Sequence, residues 1–338
     1  MGASTRRKRP TQSDVARRAG VSVGIVSSVI NNRQYGNIRI SEATRQRVME
    51  AVRELGYAPN LAARGLAGGS NRLVGVFTFQ RLFPLANEDF FHEFLVGIEE
   101  AAEEAGYNLL LLTAAKDAAG RRSLFPQGTN GMQLADGGVL IGWDERVEEI
   151  RRLADEGFPF VYLGRHDIAG LELSYVAADY EGATRRLTEA VLTHGRRPAY
   201  VDVVDHIESV PGRQAGFRAA MLAAGREPLM LALPADAADS EYAELIERGR
   251  GLGVDCLIAE NARTASSLER AVRGSGSDVQ VIGLGGAPDD EEGAALSGLA
   301  IPRREMGREA VRLLLCLLDD PQSAPVRSTL PCEIRVPH

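Results

Sequence analysis

The chain has 338 residues, 44% of them hydrophobic and 25% charged, with 36 Gly and a formal net charge of −7. This composition is globular and sufficient for two or three domains, and apolar runs as short as Leu109–Leu112 exclude a bilayer-spanning helix. The net charge alone argues against a nucleic-acid partner, but its distribution reverses that: residues 1–66 hold 12 Lys/Arg against 4 Asp/Glu, and the other 272 hold 27 against 42. A basic head on an acidic body fits a protein that docks one end on phosphates. A solvated basic tail would account for Arg6, Arg7, Lys8 and Arg9, but not for the ordered pattern behind them.

That pattern begins at Thr11, which with Asp14 three residues on predicts a capped helix whose apolar stripe is Val15, Ala16 and Ala19. Gly20 permits a tight turn. Ser22 is the expected N-cap of a second helix running to Ile30, with Val26, Val29 and Ile30 inward. Ser41 caps a third, with Thr44, Val48, Val52 and Leu55 on one face and Gly56 ending it. Three short helices with this turn predict a helix-turn-helix unit whose second helix enters the major groove. Arg33 and Arg39 lie in a polar loop, either against phosphates or simply solvated. Residues 59–68 form a candidate helix too short to be stable alone.

From Leu73 the texture becomes β-α. Expected strands are Leu73–Phe79, Tyr107–Thr113, Gly137–Ile141 and Pro159–Leu163, with helices Glu88–Ala105 and Glu145–Glu156. A second series starts near Tyr175, with helices Tyr180–His194, Ser209–Ala224 and Ala262–Arg273 and strands Pro198–Val204, Val254–Ala259 and Val279–Gly283. Asp179 reads as the cap of the first of these helices. A helix Glu305–Leu318 and a strand Thr329–Val336 are expected to cross back. Two β-α series imply two doubly wound lobes with parallel sheets, whose ligands bind beyond the carboxyl ends of the strands.

Enzymatic signatures are missing. Gly283, Gly285 and Gly286 open no dinucleotide-binding turn, and there is neither a P-loop nor a Gly-x-Ser-x-Gly elbow. The five histidines have no metal-ligand spacing, so no metal or cofactor is expected. Cys256, Cys316 and Cys332, odd in number and widely spaced, read as reduced thiols. With a polar, basic N-terminus and no signal peptide, they point to a cytoplasmic protein without a membrane partner.

The stretch TQSDVARRAGVSVGIVSSVINN (11–32) with PNLAARGLAG (59–68) resembles the LacI/GalR family of bacterial transcription regulators. The body is similar to that family's effector domain, itself like periplasmic sugar-binding proteins, at GIEEAAEEAGYNLLL (97–111), VAADYEGATRRLTEAVLTHGRR (176–197), GRQAGFRAAMLAAG (212–225) and GLAIPRREMGREAVRLLL (298–315). The resemblance implies an all-α helix-turn-helix DNA-binding head on an α/β, two-lobed, periplasmic-binding-protein-like core with doubly wound parallel sheets. The expected boundaries are 1–58 for the head, 59–71 for a hinge helix and linker, and 72–338 for the effector and dimerisation core. Within the core the N-lobe spans about 73–174 and 299–325, and the C-lobe about 175–298 and 326–338.

By the same resemblance, the implied DNA-contacting residues are Ser13, Ser22, Val23, Gly24, Ser27, Ser28, Asn31 and Tyr57 in the head. In the hinge they are Asn60, Ala63, Arg64 and Leu66, with Leu66 wedged into a base step of a kinked duplex. Three positions depart from the usual pattern. Gly24 stands at a base-reading position, Ile25 replaces Thr, and Ser28 replaces an Arg able to grip guanine bidentately. The family's base preference therefore does not carry over.

For the effector the resemblance implies Phe90, Phe91, Arg165, Arg213, Asn261 and the position of Gly285. Arg213 carries a planar fork suited to vicinal hydroxyls or a carboxylate, and Arg165 reads equally as a surface ion-pair partner. Gly285 stands where the family commonly has an Asp that accepts from sugar hydroxyls, and Ala262 replaces an acidic residue after Asn261. An anionic effector would fit that loss of carboxylates. The implied function is a homodimeric repressor, not an enzyme, binding pseudo-palindromic operator DNA under control of a carbohydrate-derived effector. The alternative is a regulator with a degenerate cleft governed by a protein partner.

Overall fold

The computed structural model describes residues 10–30, 40–58, 70–83, 90–142, 146–203, 209–234, 236–285 and 298–335. The chain divides into two units, Met1–Asn71 and Arg72–His338.

In the first unit, Thr11 and Asp14 close a reciprocal capping box. Thr11 Oγ1 accepts from the Asp14 amide at 3.3 Å, and the Asp14 carboxylate accepts from the Thr11 amide at 2.9 Å. Two N–H groups that α1 (Gln12–Ala19) would leave unsatisfied are thereby paired. Gly20, at φ 67°, turns the chain into α2 (Val23–Ile30), where Ser22 Oγ accepts from the Ile25 amide at 3.3 Å. Ser41 caps α3 (Glu42–Leu55), which Gly56 ends in the left-handed region. Val15, Ala16, Ala19, Val26, Val29, Val48 and Ala51 make the core together with Tyr57.

The second unit starts with β1 (Leu73–Phe77), α4 (His92–Glu104), β2 (Asn108–Leu111), β3 (Gly137–Ile141), α5 (Val147–Asp155), β4 (Phe160–Leu163) and β5 (Tyr175–Ala178). Next come α6 (Tyr180–Thr193), β6 (Pro198–Val203), α7 (Ser209–Ala223), β7 (Met230–Leu233), α8 (Asp239–Gly251) and β8 (Cys256–Ala259). After these follow α9 (Ala262–Ser275), β9 (Gln280–Gly283), β10 (Gly298–Ala300), α10 (Arg303–Asp319), β11 (Arg327–Leu330) and β12 (Glu333–Arg335).

One sheet runs β11-β5-β4-β3-β1-β2, parallel throughout, and the other β12-β10-β9-β8-β6-β7, parallel except for β12 against β10. Both sheets are doubly wound, with the strand order reversing between β1 and β3 in one and between β6 and β8 in the other. Alternation sorts the side chains. Val74, Val76, Val139 and Ile141 face one core, and Phe77 and Leu140 the other. In the second sheet Cys256 and Ile258 oppose Leu257 and Ala259 in the same way.

Crossing back occurs more often than the sequence suggested. Tyr175–Ala178 belongs to the first sheet, pairing with β4, so the second lobe begins after it. Gly298–Ala300 belongs to the second sheet, and the single expected last strand is two: β11 joins the first sheet and β12 the second. The lobe boundaries expected at 174/175, 298/299 and 325/326 are corrected accordingly. β7 and α8 were not anticipated. Helices α4 and α10 cross so closely that a Cβ on Gly97 would overlap the Arg304 carbonyl, and one on Gly307 the Phe94 carbonyl. No helix among the described residues is long and apolar enough to cross a membrane.

Candidate functional site

In the head, Ser13, Ser22 and Val23 are exposed, and Gly24 and Ser27 half-buried. Val23 is 42% exposed at the start of α2, beside the backbone N–H groups that a helix start directs outward. Nothing in α2 is charged, so the helix offers short side chains and backbone to a base edge, with no long forked donor. Two expected contacts are corrected. Tyr57 packs into the head's own core, and Ser28 is buried at 7% exposure, so neither side chain is presented outward as a reader of bases. Asn31, Asn60, Ala63, Arg64 and Leu66 lie outside the described residues, as do Arg33 and Arg39.

In the body, three of the residues expected at the effector, Arg213, Asn261 and Gly285, gather at the carboxyl ends of β8 and β9. Arg213, on the second turn of α7, is 5% exposed. Its Nη1 donates to both the Glu260 carbonyl and Glu260 Oε1, each at 2.8 Å. Its guanidinium stands over the Tyr180 ring, 4.7 Å from the centroid. Asn261 caps α9, its Oδ1 accepting from the Thr264 amide at 2.8 Å. Gly285, two residues beyond β9, presents its carbonyl to Arg303 Nη2 at 2.6 Å. A Cβ built there would fall 2.7 Å from the Ala262 amide nitrogen and 3.0 Å from Asn261 Cα. The start of α9 occupies the place that a side chain at this position would take.

Two residues of this cluster were missed by sequence reasoning. Glu260 is 2% exposed and follows four buried residues of β8; a charge ending a fully apolar strand was the available signal. Burial pushes its carboxyl up to about 9, while the Arg213 guanidinium in contact with it pulls the other way. Arg303 is the other. Burial lowers the pKa of its guanidinium, Arg213 adds to that effect, and Tyr180, Cys332 and Glu93 oppose it.

The two phenylalanines separate. Phe90 is 36% exposed, with the Arg303 guanidinium 5.3 Å from its ring centroid. Phe91, at 2%, belongs to the core under α4, so the expectation that it flanks a ligand is corrected. Arg165 lies past β4, its Nε donating to Asp167 at 2.8 Å with both side chains exposed. It is a surface ion pair, the second of the two roles the sequence allowed. Asp179 caps α6 by accepting from the Gly182 amide at 2.9 Å. At the facing ends of β1 and β3, Thr78 Oγ1 bonds Gln80 Oε1 at 2.9 Å, and Tyr162 donates to the Gly142 carbonyl at 3.4 Å. Among the described residues no group of three or more His, Cys, Asp or Glu could hold a metal ion.

A three-helix head with an exposed helix start, and a separate pair of doubly wound lobes with polar groups buried at their strand ends, define a DNA-binding regulator of the helix-turn-helix class. Residues 11–60 match the bacterial regulatory proteins of the lacI family, and residues 80–291 the periplasmic binding proteins and sugar binding domain of the LacI family. The chain belongs to the LacI family of bacterial transcriptional regulators, which are not enzymes. The HTH-type transcriptional regulator CelR of Thermobifida fusca is 32% identical over an alignment of 349 residues, covering 98% of each chain. The maltose regulon regulatory protein MalI of Escherichia coli K12 is 33% identical, over 56% of this chain and 52% of its own length. A solved CelR–cellobiose complex superposes with a TM-score of 0.62 at 29% identity, covering 97% of this chain and 99% of that one. The lac repressor dimer bound to operator shares the fold, with a TM-score of 0.74 at 22% identity over 97% and 98% of the two chains.

Proposed function

We propose that this regulator is a cytoplasmic homodimeric repressor whose affinity for a pseudo-palindromic operator is set by a carbohydrate-derived effector bound between the two lobes. The observation that carries the reading is the Arg213–Glu260 pair, buried beside Asn261 where the second sheet reverses its strand order. Burying an ion pair costs several kcal/mol of desolvation per ion, and apolar residues would serve a purely structural strand end better. The cellobiose bound by CelR supports a saccharide as the ligand class. Residues 59–71 act as the hinge between a head of residues 1–58 and the core, and Leu66 is the kinking wedge. Effector binding changes the lobe angle and through residues 59–71 alters DNA affinity.

A thermal-shift screen of the full-length protein against neutral sugars, sugar phosphates, sugar acids and nucleosides tests this. A ligand at 100 times its dissociation constant adds about 2.7 kcal/mol, and each kcal/mol raises the midpoint by roughly 2–4 °C. A hit lost in Arg213→Ala, and one that changes affinity for a DNA fragment selected by the wild type from a random pool, is the expected result. No shift across the panel would favour a degenerate cleft under a protein partner.

A further inference from the structure

We infer that Arg6, Arg7, Lys8 and Arg9 supply the largest share of the head's electrostatic grip on DNA phosphates, while the packed helices read bases and add little charge. DNA binding follows from the family; this division of labour between a basic segment and the helices goes beyond it.

The packed part of the head is close to neutral. Residues 10–30 and 40–58 hold five arginines and all four of the acidic residues found in residues 1–66. Three of those arginines stand beside a carboxylate. Arg17 pairs with Asp14 at 3.3 Å, Arg18 with Glu54 at 2.6 Å, and Arg45 with Glu42 at 4.0 Å. Such exposed pairs stabilise the fold little, but each brings a repelling charge to the phosphate that its arginine approaches. The second helix, α2, carries no charged residue at all.

The excess positive charge therefore lies outside the helices. Residues 1–9, 31–39 and 59–66 hold seven Lys/Arg and no Asp/Glu. Four of the seven are consecutive, from Arg6 to Arg9, and no other run in the head matches that density. The body, with 27 Lys/Arg against 42 Asp/Glu, repels DNA, so the attraction has to be concentrated in the head.

Reach is adequate. The four residues lie outside the described ones, but their separation from Thr11 along the chain is fixed by the sequence. Residues 6–10 can span up to about 17 Å, against about 12 Å for the eight residues of α1. Duplex DNA carries one negative charge for every ~1.7 Å of its axis, so several phosphates fall within that span. Thr11 remains locked in its capping box with Asp14 throughout.

The test is the salt dependence of DNA affinity, read by fluorescence anisotropy on full-length protein. Two duplexes are compared, the fragment selected by the wild type from a random pool and a scrambled fragment of equal length. In the variant carrying Arg6→Gln, Arg7→Gln, Lys8→Gln and Arg9→Gln, the slope of log affinity against log salt should fall by roughly 3–4 per head, at about 0.9 per neutralised phosphate. At low salt both duplexes should lose at least tenfold, with the ratio between them kept within threefold. A chain lacking residues 1–9 keeps the capping box and should give the same slope. A control with Arg17→Gln, Arg18→Gln and Arg45→Gln should lower the slope by less than one per head. An unchanged slope in the fourfold variant overturns the inference, since the segment is then merely solvated. A loss confined to the selected fragment also overturns it, because the segment would be reading bases. Tighter binding by the variant does so too, since the segment would then pair with the acidic body. A control slope that falls as much per cation as the fourfold variant's places the grip on the helices. Failure of the wild type to bind either duplex at any salt overturns the repressor reading as well.

Discussion

Arg303 Nη2 donates to the Gly285 carbonyl at 2.6 Å while the same guanidinium lies over the ring of Phe90. Gly285 follows β9 of the second sheet, and Phe90 precedes α4, which packs on α10 beside the first sheet. One side chain therefore touches both lobes next to the proposed ligand site. Replacing it by Leu removes a charge-assisted hydrogen bond worth about 1.5–3 kcal/mol and a cation–π contact worth about 0.5–1 kcal/mol or more. Arg303→Leu is expected to widen the ligand-free distribution of lobe separations in small-angle scattering, and to lower the unfolding midpoint. A scattering curve superposable on the wild type's would show that the bond does not hold the lobes together.

Restoring a carboxylate beyond β9 should fail for a steric reason. A Cβ at position 285 meets the Ala262 amide nitrogen at 2.7 Å and Asn261 Cα at 3.0 Å, both backbone atoms at the start of α9. Gly285→Asp is therefore expected to cost on the order of 1–3 kcal/mol, as other overpacked sites do. It should also weaken saccharide binding by displacing the Asn261 cap and the carbonyl that holds Arg303. A variant with an unchanged midpoint and improved sugar affinity would contradict this account.

What the sequence disclosed follows the range of the forces involved. The capping box at Thr11 and Asp14, the turn at Gly20 and the stripes of α1 to α3 are local, and the residues alone foretell them. Strand membership at the crossings is not local. Arg327 pairs with Tyr175 far back in the chain, while Tyr175 and Gly298 pair with the strands just before them, and nothing in the residues beside them says that they stay with that sheet instead of opening the other lobe. The same limit applies to the site. Arg213 was legible as a residue, but its partner Glu260 lies 47 positions away. Phe90 and Phe91 are identical in type, and only the start of α4 sends one to the core and leaves the other beside Arg303.

Leu66 tests the coupling between DNA and effector. If it inserts into a base step, Leu66→Ala forfeits the contacts that a kinked duplex allows, and specific DNA affinity should fall at least tenfold. Saccharide affinity measured on the same preparation should stay within twofold, because the proposed ligand site lies wholly in the body. Fluorescence anisotropy on the selected DNA fragment and calorimetry on the sugar read the two quantities separately. Equal losses in both, with the protein still folded, would remove the separation of roles on which the proposed switch depends.

His166 gives the body a signature in its acid stability. The ring is 3% exposed and stacked on Tyr162 with centroids 3.6 Å apart. Burial pushes its pKa down to about 4, and the backbone at Arg165 and Gly164 and the Asp167 carboxylate oppose this without offsetting it. Between pH 6.5 and 4 the unfolded chain then binds more protons at this residue than the folded one. Stability from the neutral ring is present above that window and is lost as pH falls through it. At 1.36 kcal/mol per pH unit the loss amounts to about 3 kcal/mol. Glu260 also responds to pH, since burial raises its carboxyl while the Arg213 contact opposes that rise. The comparison that isolates His166 is therefore wild type against His166→Phe, each unfolded thermally at pH 7 and pH 4.5. The variant should show a smaller fall in midpoint between the two; an identical fall would mean that the ring is already protonated in the folded protein.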